Sequence, residues 1–282
     1  MVLEAQLLMD SIEREILSNR LRSWILQAGK NIREKINDPL IVSTKSNPKD
    51  LVTEMDREVE SFFATKIKQF YPEHFLLGEE GYGDSVLNKS DTIWIIDPID
   101  GTMNFVHQKQ DFAISIGIYH QGVGEIGYIY DVMNNNLFSA LRGNGAYKND
   151  RKLPSLTKEA LTLNESVVSF SHRWLMKNNF VNERAMQQLV RDVRGVRSYG
   201  SAALGFARVA EGSLDAYITM RLEPWDIAAG RIIVNEVGGV LTDARGKEIG
   251  LLDRSSVLCA HPDIHERIIK KYLRRAIKRG VR

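Results

Sequence analysis

The chain has 282 residues, of which 43% are apolar and 26% charged, and its formal net charge is +2. This is an ordinary globular balance with ample material for a core in one large domain or two smaller ones, and it is too near neutral to indicate a nucleic-acid partner. Cys259 is the only cysteine, which excludes an intramolecular disulfide and a thiolate metal cluster.

The predicted elements follow in chain order. Residues 3–36 carry a helical repeat through Leu3, Leu7, Leu8, Ile12, Ile16, Leu21, Trp24, Ile25 and Ala28. The acids Glu4, Asp10, Glu13 and Glu15 interrupt it, so it is unlike a signal peptide, and no run approaches the roughly 18 apolar residues of a membrane span. The expectation is a soluble protein of a reducing, cytoplasmic compartment. A polar loop covers Thr44 to Pro48, and a second helix is predicted over 54–70. A short apolar run, residues 74–77, ends at Gly78-Glu79-Glu80, and a polar loop spans 81–90. A strand over 92–97 precedes three more near 112–118, 126–130 and 136–140, separated by Gly and Asn in the manner of an antiparallel meander. Gly143-Asn144-Gly145 reads as a hairpin turn. Beyond a soft boundary near Lys148 to Pro154 the pattern alternates: strand 166–170, helix 174–192, strand 195–198, helix 201–211, strand 214–218, helix 226–237, strands 239–242 and 255–259, and helix 262–277. This mixture predicts an α+β or layered α/β sandwich, with halves 1–150 and 151–282.

The most informative segment is Asp97-Pro98-Ile99-Asp100-Gly101-Thr102-Met103-Asn104-Phe105, directly after Ile93-Trp94-Ile95-Ile96. Two carboxylates stand three residues apart on a tight turn, and a Gly-Thr pair that could open a helix follows them. Burying Asp97 at the end of an apolar strand without a partner is costly, so a cation or donors are expected beside it. Pro98 removes a backbone donor and Ile99 offers a carbonyl oxygen. Hard oxygen ligands beside an anion socket suit a metal-assisted phosphatase using Mg²⁺. Asp226 follows Trp225 and opens a helix of small residues. Taken alone it is equally a helix cap, Asp100-Gly101 an ordinary turn, and Glu79 and Glu80 solvated loop charges.

Four segments in order resemble the inositol monophosphatase family: Asp50 to Asp56, Gly78-Glu79-Glu80, Asp97 to Phe105, and Trp225 to Gly230 followed by Glu236-Val237-Gly238-Gly239. The resemblance spans about Ile12 to Ile269. It implies an αβαβα sandwich of the sugar-phosphatase type, Mg²⁺-dependent hydrolysis of a small phosphate monoester, a homodimer, and sensitivity to Li⁺. By it, Glu79, Asp97 and the Ile99 carbonyl bind one metal ion, and Asp97, Asp100 and Asp226 bind a second. Glu79 helps hold a weaker third. Thr102, hydrogen-bonded to Asp56, orients the attacking water. The amides of Gly101 and Thr102 face the phosphate, Gly200, Ser201 and Ala202 line the alcohol pocket, and Lys45 lies near the metal waters. The site is expected between the two halves, most metal ligands coming from 1–150 and Asp226 with the substrate loop from 151–282.

The segment departs from the family pattern in two places. Met103 stands where many relatives carry Thr. Thr219 and Met220 fill a region where animal inositol monophosphatases carry an acid, and Arg221 adds positive charge that favours a second phosphate. Inositol monophosphate is therefore the leading substrate, with fructose 1,6-bisphosphate or a nucleotide 2′- or 3′-phosphate such as NADP as alternatives. A reading of another class uses the basic C-terminus, Lys270 to Arg282, to bind nucleic acid or an acidic protein. A solvated amphipathic helix end explains that charge more simply.

Overall fold

The structure is a computed structural model and describes residues 9–39, 41–44, 51–84, 91–158 and 160–278. The first described helix is α1 (Ser11–Lys35), and positions 3–8 of the predicted repeat lie outside the described residues. The Asp10 carboxylate accepts from the amides of Ile12 and Glu13 and so caps the start of α1. Strands β1 (Val42–Thr44) and β2 (Leu51–Thr53) form a small antiparallel ribbon ahead of α2 (Glu54–Phe70). Next come β3 (Phe75–Gly78), β4 (Thr92–Asp100) and the short α3 (Thr102–Gln108). The meander is β5 (Ala113–His120), β6 (Val123–Asp131), β7 (Asn136–Leu141), β8 (Gly145–Lys148) and β9 (Arg151–Lys152). The turn at residues 143–145 is closed by Glu236, which accepts from Gly143 N and Gly145 N.

The second half contains β10 (Val167–Phe170), α4 (Glu183–Asp192), β11 (Gly195–Arg197), α5 (Ala202–Ala210) and β12 (Ala216–Leu222). It continues with α6 (Pro224–Glu236), β13 (Val240–Thr242), β14 (Ser255–Ala260) and α7 (Pro262–Ile268). Two predicted helices are shorter than expected. Residues 172–175 make a single 3₁₀ turn, and α4 begins only at Glu183. Between them Asn178 Oδ1 takes the amides of Phe180 and Val181, and Asn182 caps Arg184 N; both are side-chain alternatives to helix continuation. After α7 the chain widens into a π turn, Ile269–Leu273, and Ile277 bridges to Val181.

The strands form a seven-stranded sheet, β3-β4-β5-β6-β7-β8-β9, and a five-stranded sheet, β11-β10-β12-β14-β13. In the first, only β3 and β4 run parallel. Period-two alternation sorts its side chains. Trp94 and Ile96 face α1 and α2, whereas Ile93 and Ile95 face α5 and α6. Val257 and Cys259 of the second sheet close on the same inner helices, while Val168, Ile218 and Leu258 on its far face meet α4 and α7. The layers are therefore αβαβα, as the resemblance implied. Cys259 is fully buried in this core, and burial pushes its thiol well up, so it is chemically inert.

The inner helices approach closely. A Cβ at Gly230 would lie 2.3 Å from the Phe206 ring, which is itself fully buried. Gly230→Ala should therefore lose about 1–3 kcal/mol to overpacking, visible as a lower urea midpoint with an unchanged slope. An unchanged midpoint would show that Phe206 can step aside.

Candidate active site

Asp97 lies on the same face of β4 as Ile93 and Ile95, so it projects toward the inner helix layer. The β4–β5 register shifts between Asp97 and Asp100, where Pro98 has no amide to pair. Ile99 N instead donates to Asp97 Oδ1 at 3.0 Å. Gly101 then turns the chain with φ 96° and opens α3. Asp100 is tied to the start of α5. It accepts from the Ser201 hydroxyl, from Ala202 N at 3.2 Å and from Ala203 N at 2.8 Å. Asp226 sits in the first turn of α6, behind Pro224, and accepts from Glu223 N at 2.7 Å. Its role as a cap and its place in the site coexist, since a carboxylate has a second oxygen.

These three elements bring one oxygen each of Asp97, Asp100 and Asp226 within 4.8 Å of one another. Glu79, half-buried just past β3, adds its charge to all three. Burial, then Glu79, Asp100, Asp226 and Asp56 in turn, hold Asp97 well above the usual carboxylate range. Asp226 keeps an open side, yet burial is still the largest cause of its upward shift, followed by Asp100 and Glu79. Asp100 is pushed up to about 6 by burial, against the opposing hydrogen bonds of Ser201, Ala203 and Ala202. So much crowded negative charge is the donor set of a hard cation. It is all oxygen, which suits Mg²⁺ and offers nothing to a thiophilic metal.

A second group borders the cluster. Asp56, in the first turn of α2, has Oδ2 occupied by Thr53 N at 2.8 Å and by the Thr53 hydroxyl at 2.5 Å. Its Oδ1 lies 3.3 Å from the Thr102 hydroxyl, which is also 3.1 Å from the Ile99 carbonyl. Burial pushes Asp56 up to about 6, against its bonds to Thr53.

On the substrate side, Gly200 has φ 82°, and Ser201 Oγ accepts from Leu204 N while donating to Asp100. Tyr217 packs against the inner layer, the β12–β14 register shifts between Thr219 and Leu222, and Arg221 in that irregular stretch is exposed. Met220 points the other way and is buried. Glu223 pairs with Arg254 at 2.8 Å. Met103 is exposed, beside the helix start. Lys45 and Asp50 lie outside the described residues.

Sequence reasoning missed Glu60. This carboxylate is fully buried and accepts from Glu80 N at 2.7 Å and Tyr82 N at 2.9 Å, shaping the turn that presents Glu79. A signal was available: Glu60 sits one helical turn after Asp56, beside the buried stripe Met55, Val59, Phe63 and Ile67.

An αβαβα sandwich with a carboxylate cluster at the ends of β4 and α6 is the arrangement of a phosphoric monoester hydrolase. The inositol monophosphatase family model matches residues 14–276, and the chain belongs to that family. It is 49% identical over 252 residues to the inositol-1-monophosphatase of Bacillus subtilis (strain 168), covering 89% of this chain and 94% of the relative. Among solved structures, inositol monophosphatase-II from Staphylococcus aureus MSSA476 superposes with a TM-score of 0.83 at 38% identity, covering 92% of this chain and 93% of that one. An IMPase/NADP phosphatase complexed with Mg²⁺ and phosphate gives a TM-score of 0.84 at 29% identity, covering 91% and 95%.

Proposed function

We propose that this protein hydrolyses inositol monophosphate with Mg²⁺ as cofactor, the cluster of Asp97, Asp100 and Asp226 being the observation that carries the reading. The 49% identity to an inositol-1-monophosphatase supports the substrate. Glu79, Asp97 and the Ile99 carbonyl hold one ion, Asp97, Asp100 and Asp226 a second, and Glu79 contributes to a third. When bound, Mg²⁺ lowers the pKa of a water ligand and offsets charge on the leaving oxygen. The protein's own groups hold that water. The Thr102 proton is committed to Asp56 Oδ1 or the Ile99 carbonyl, so the Thr102 lone pairs turn outward to accept from the water. Asp56, pushed up to about 6, can take a proton near neutrality. Gly101 and Thr102 contact the phosphate through main-chain amides, Gly200 to Ala202 contact the alcohol, and Lys45 belongs to the same pocket. Residues 1–150 and 151–282 are the two halves that enclose the site. A cytoplasmic homodimer inhibited by Li⁺ completes the reading.

One observation favours a second substrate class. Arg221 is exposed in the irregular end of β12, five residues before Asp226. A cation there suits a substrate with a second phosphate, fructose 1,6-bisphosphate or NADP. The test is phosphate release from inositol 1-phosphate, fructose 1,6-bisphosphate, NADP and 2′-AMP, with and without EDTA. Release that EDTA abolishes and Mg²⁺ restores is expected, with inositol 1-phosphate fastest. Release that survives EDTA would overturn the metal assignment.

Glu60→Gln should raise the Mg²⁺ concentration for half-maximal rate by about tenfold or more, because the second-layer partner that orients Glu79 loses one acceptor. A Mg²⁺ titration of initial rate measures this, and an unchanged midpoint would detach Glu60 from the metal site.

A further inference from the structure

Asn104 is buried in α3, one turn beyond Gly101. Its side-chain amide commits both protons to main-chain carbonyls, Asp111 O at 2.8 Å and Tyr199 O at 2.6 Å. The first carbonyl belongs to the corner after α3, and the second to the loop that enters α5. That corner is strained: Lys109 (φ 57°) and Asp111 (φ 55°) both take left-handed backbone without being glycine. The loop rests directly on the amide. A Cβ at Gly200 would stand 3.0 Å from both Asn104 Nδ2 and Oδ1. A second tie runs alongside. Arg208 on α5 pairs with Asp111 at 2.9 Å and lays its guanidinium 3.5 Å from the centre of the Tyr199 ring. Tyr199 is thus held twice from one corner, by its carbonyl and by its ring, while Asp100 independently fastens Ser201.

We propose that Asn104, supported by Arg208 and Asp111, is a positioning residue that sets the distance between the Gly101–Thr102 turn and the Tyr199–Ser201 loop. It thereby selects substrates by the size of the alcohol they release. The proposal rests on the reading of Gly200 to Ala202 as substrate contacts. A rigid ring polyol meets the turn and the loop together and needs their separation held. A small flexible alcohol adjusts to a loosened loop.

The test compares Asn104→Ala and Arg208→Met with the unmodified protein, at saturating Mg²⁺, on inositol 1-phosphate and glycerol 2-phosphate. Far-ultraviolet circular dichroism checks folding, and hydrogen exchange follows residues 198–204. Asn104→Ala is expected to raise KM for the inositol ester about tenfold more than for the glycerol ester, since a displacement of about 1 Å in a positioned site carries penalties of that order and larger. Arg208→Met should move the same ratio in the same direction by less. Amides 198–204 should exchange faster while those of β4 and β5 hold. A folded Asn104→Ala protein with an unchanged ratio, or with both esters slowed equally, would overturn the proposal. If the unmodified protein released phosphate from neither ester, the proposed function would fail instead. Unchanged exchange in Asn104→Ala would then remove the positioning role as well.

Discussion

Asp97→Asn is expected to lower phosphate release by on the order of a thousandfold while making the metal-free protein more stable. The two effects share one cause. Asp97 is buried among Glu79, Asp100, Asp226 and Asp56, and holds its proton far above the usual carboxylate range. The folded chain therefore keeps this proton to a higher pH than the unfolded chain does. Stability from this group is present at low pH and is lost as pH rises through its raised pKa. Asn carries no charge, keeps an acceptor for Ile99 N, and removes that cost. Differential scanning calorimetry in EDTA should show a melting temperature higher by about 3 °C or more at pH 7.5, the order expected for roughly 1 kcal/mol in a chain of this size. The gain should shrink as pH falls toward the ordinary carboxylate range. Mg²⁺ should stabilise the parent protein more than the variant. Near-normal turnover by Asp97→Asn would sink the metal assignment, and a lowered melting temperature in EDTA would show that the carboxylate is satisfied by protein donors.

Thr102→Ala should lower kcat by on the order of a hundredfold with KM within about a factor of two, since the hydroxyl acts on the water and not on the bound ester. The geometry behind this is directional. Asp56 Oδ2 is filled by Thr53, so only Oδ1 faces Thr102, and the Thr102 proton has no better acceptor than Oδ1 or the Ile99 carbonyl. Thr102→Ser keeps the hydroxyl and should recover most of the rate. Steady-state kinetics on inositol 1-phosphate decide the matter. A rise in KM with kcat unchanged would reassign Thr102 to uniform substrate binding.

Much of the site was legible because its chemistry is local. A carboxylate ending the run Ile93 to Ile96 signals a buried charge, and Pro98 announces the break in the ladder that the β4–β5 register shift realises. The Thr53–Asp56 capping box joins residues three positions apart, within reach of sequence inspection. Helix ends were legible only where the cap was recognised. Asp10 caps the start of α1 and the Asn178–Asn182 segment interrupts a helix by side-chain competition, which hydrophobic periodicity does not register.

The amino-acid sequence by itself determined the strand that carries Asp97, the turn that carries Asp100, the helix start that carries Asp226, and the family through their order. Each follows from interactions among residues within about one turn of helix or one pleat of strand. Only the tertiary structure decided that Asp100 would dock on Ser201, 101 positions away, that Glu60 would shape the Glu79 turn, and that Asn104 would hold Tyr199. The Asp100 and Asn104 contacts depend on how two sheets stack across the α5–α6 layer, and the Glu60 contact on how α2 packs against the outer face of the first sheet. That stacking is set by side-chain volumes such as the Phe206–Gly230 pair, summed over the whole core, and no local pattern encodes it.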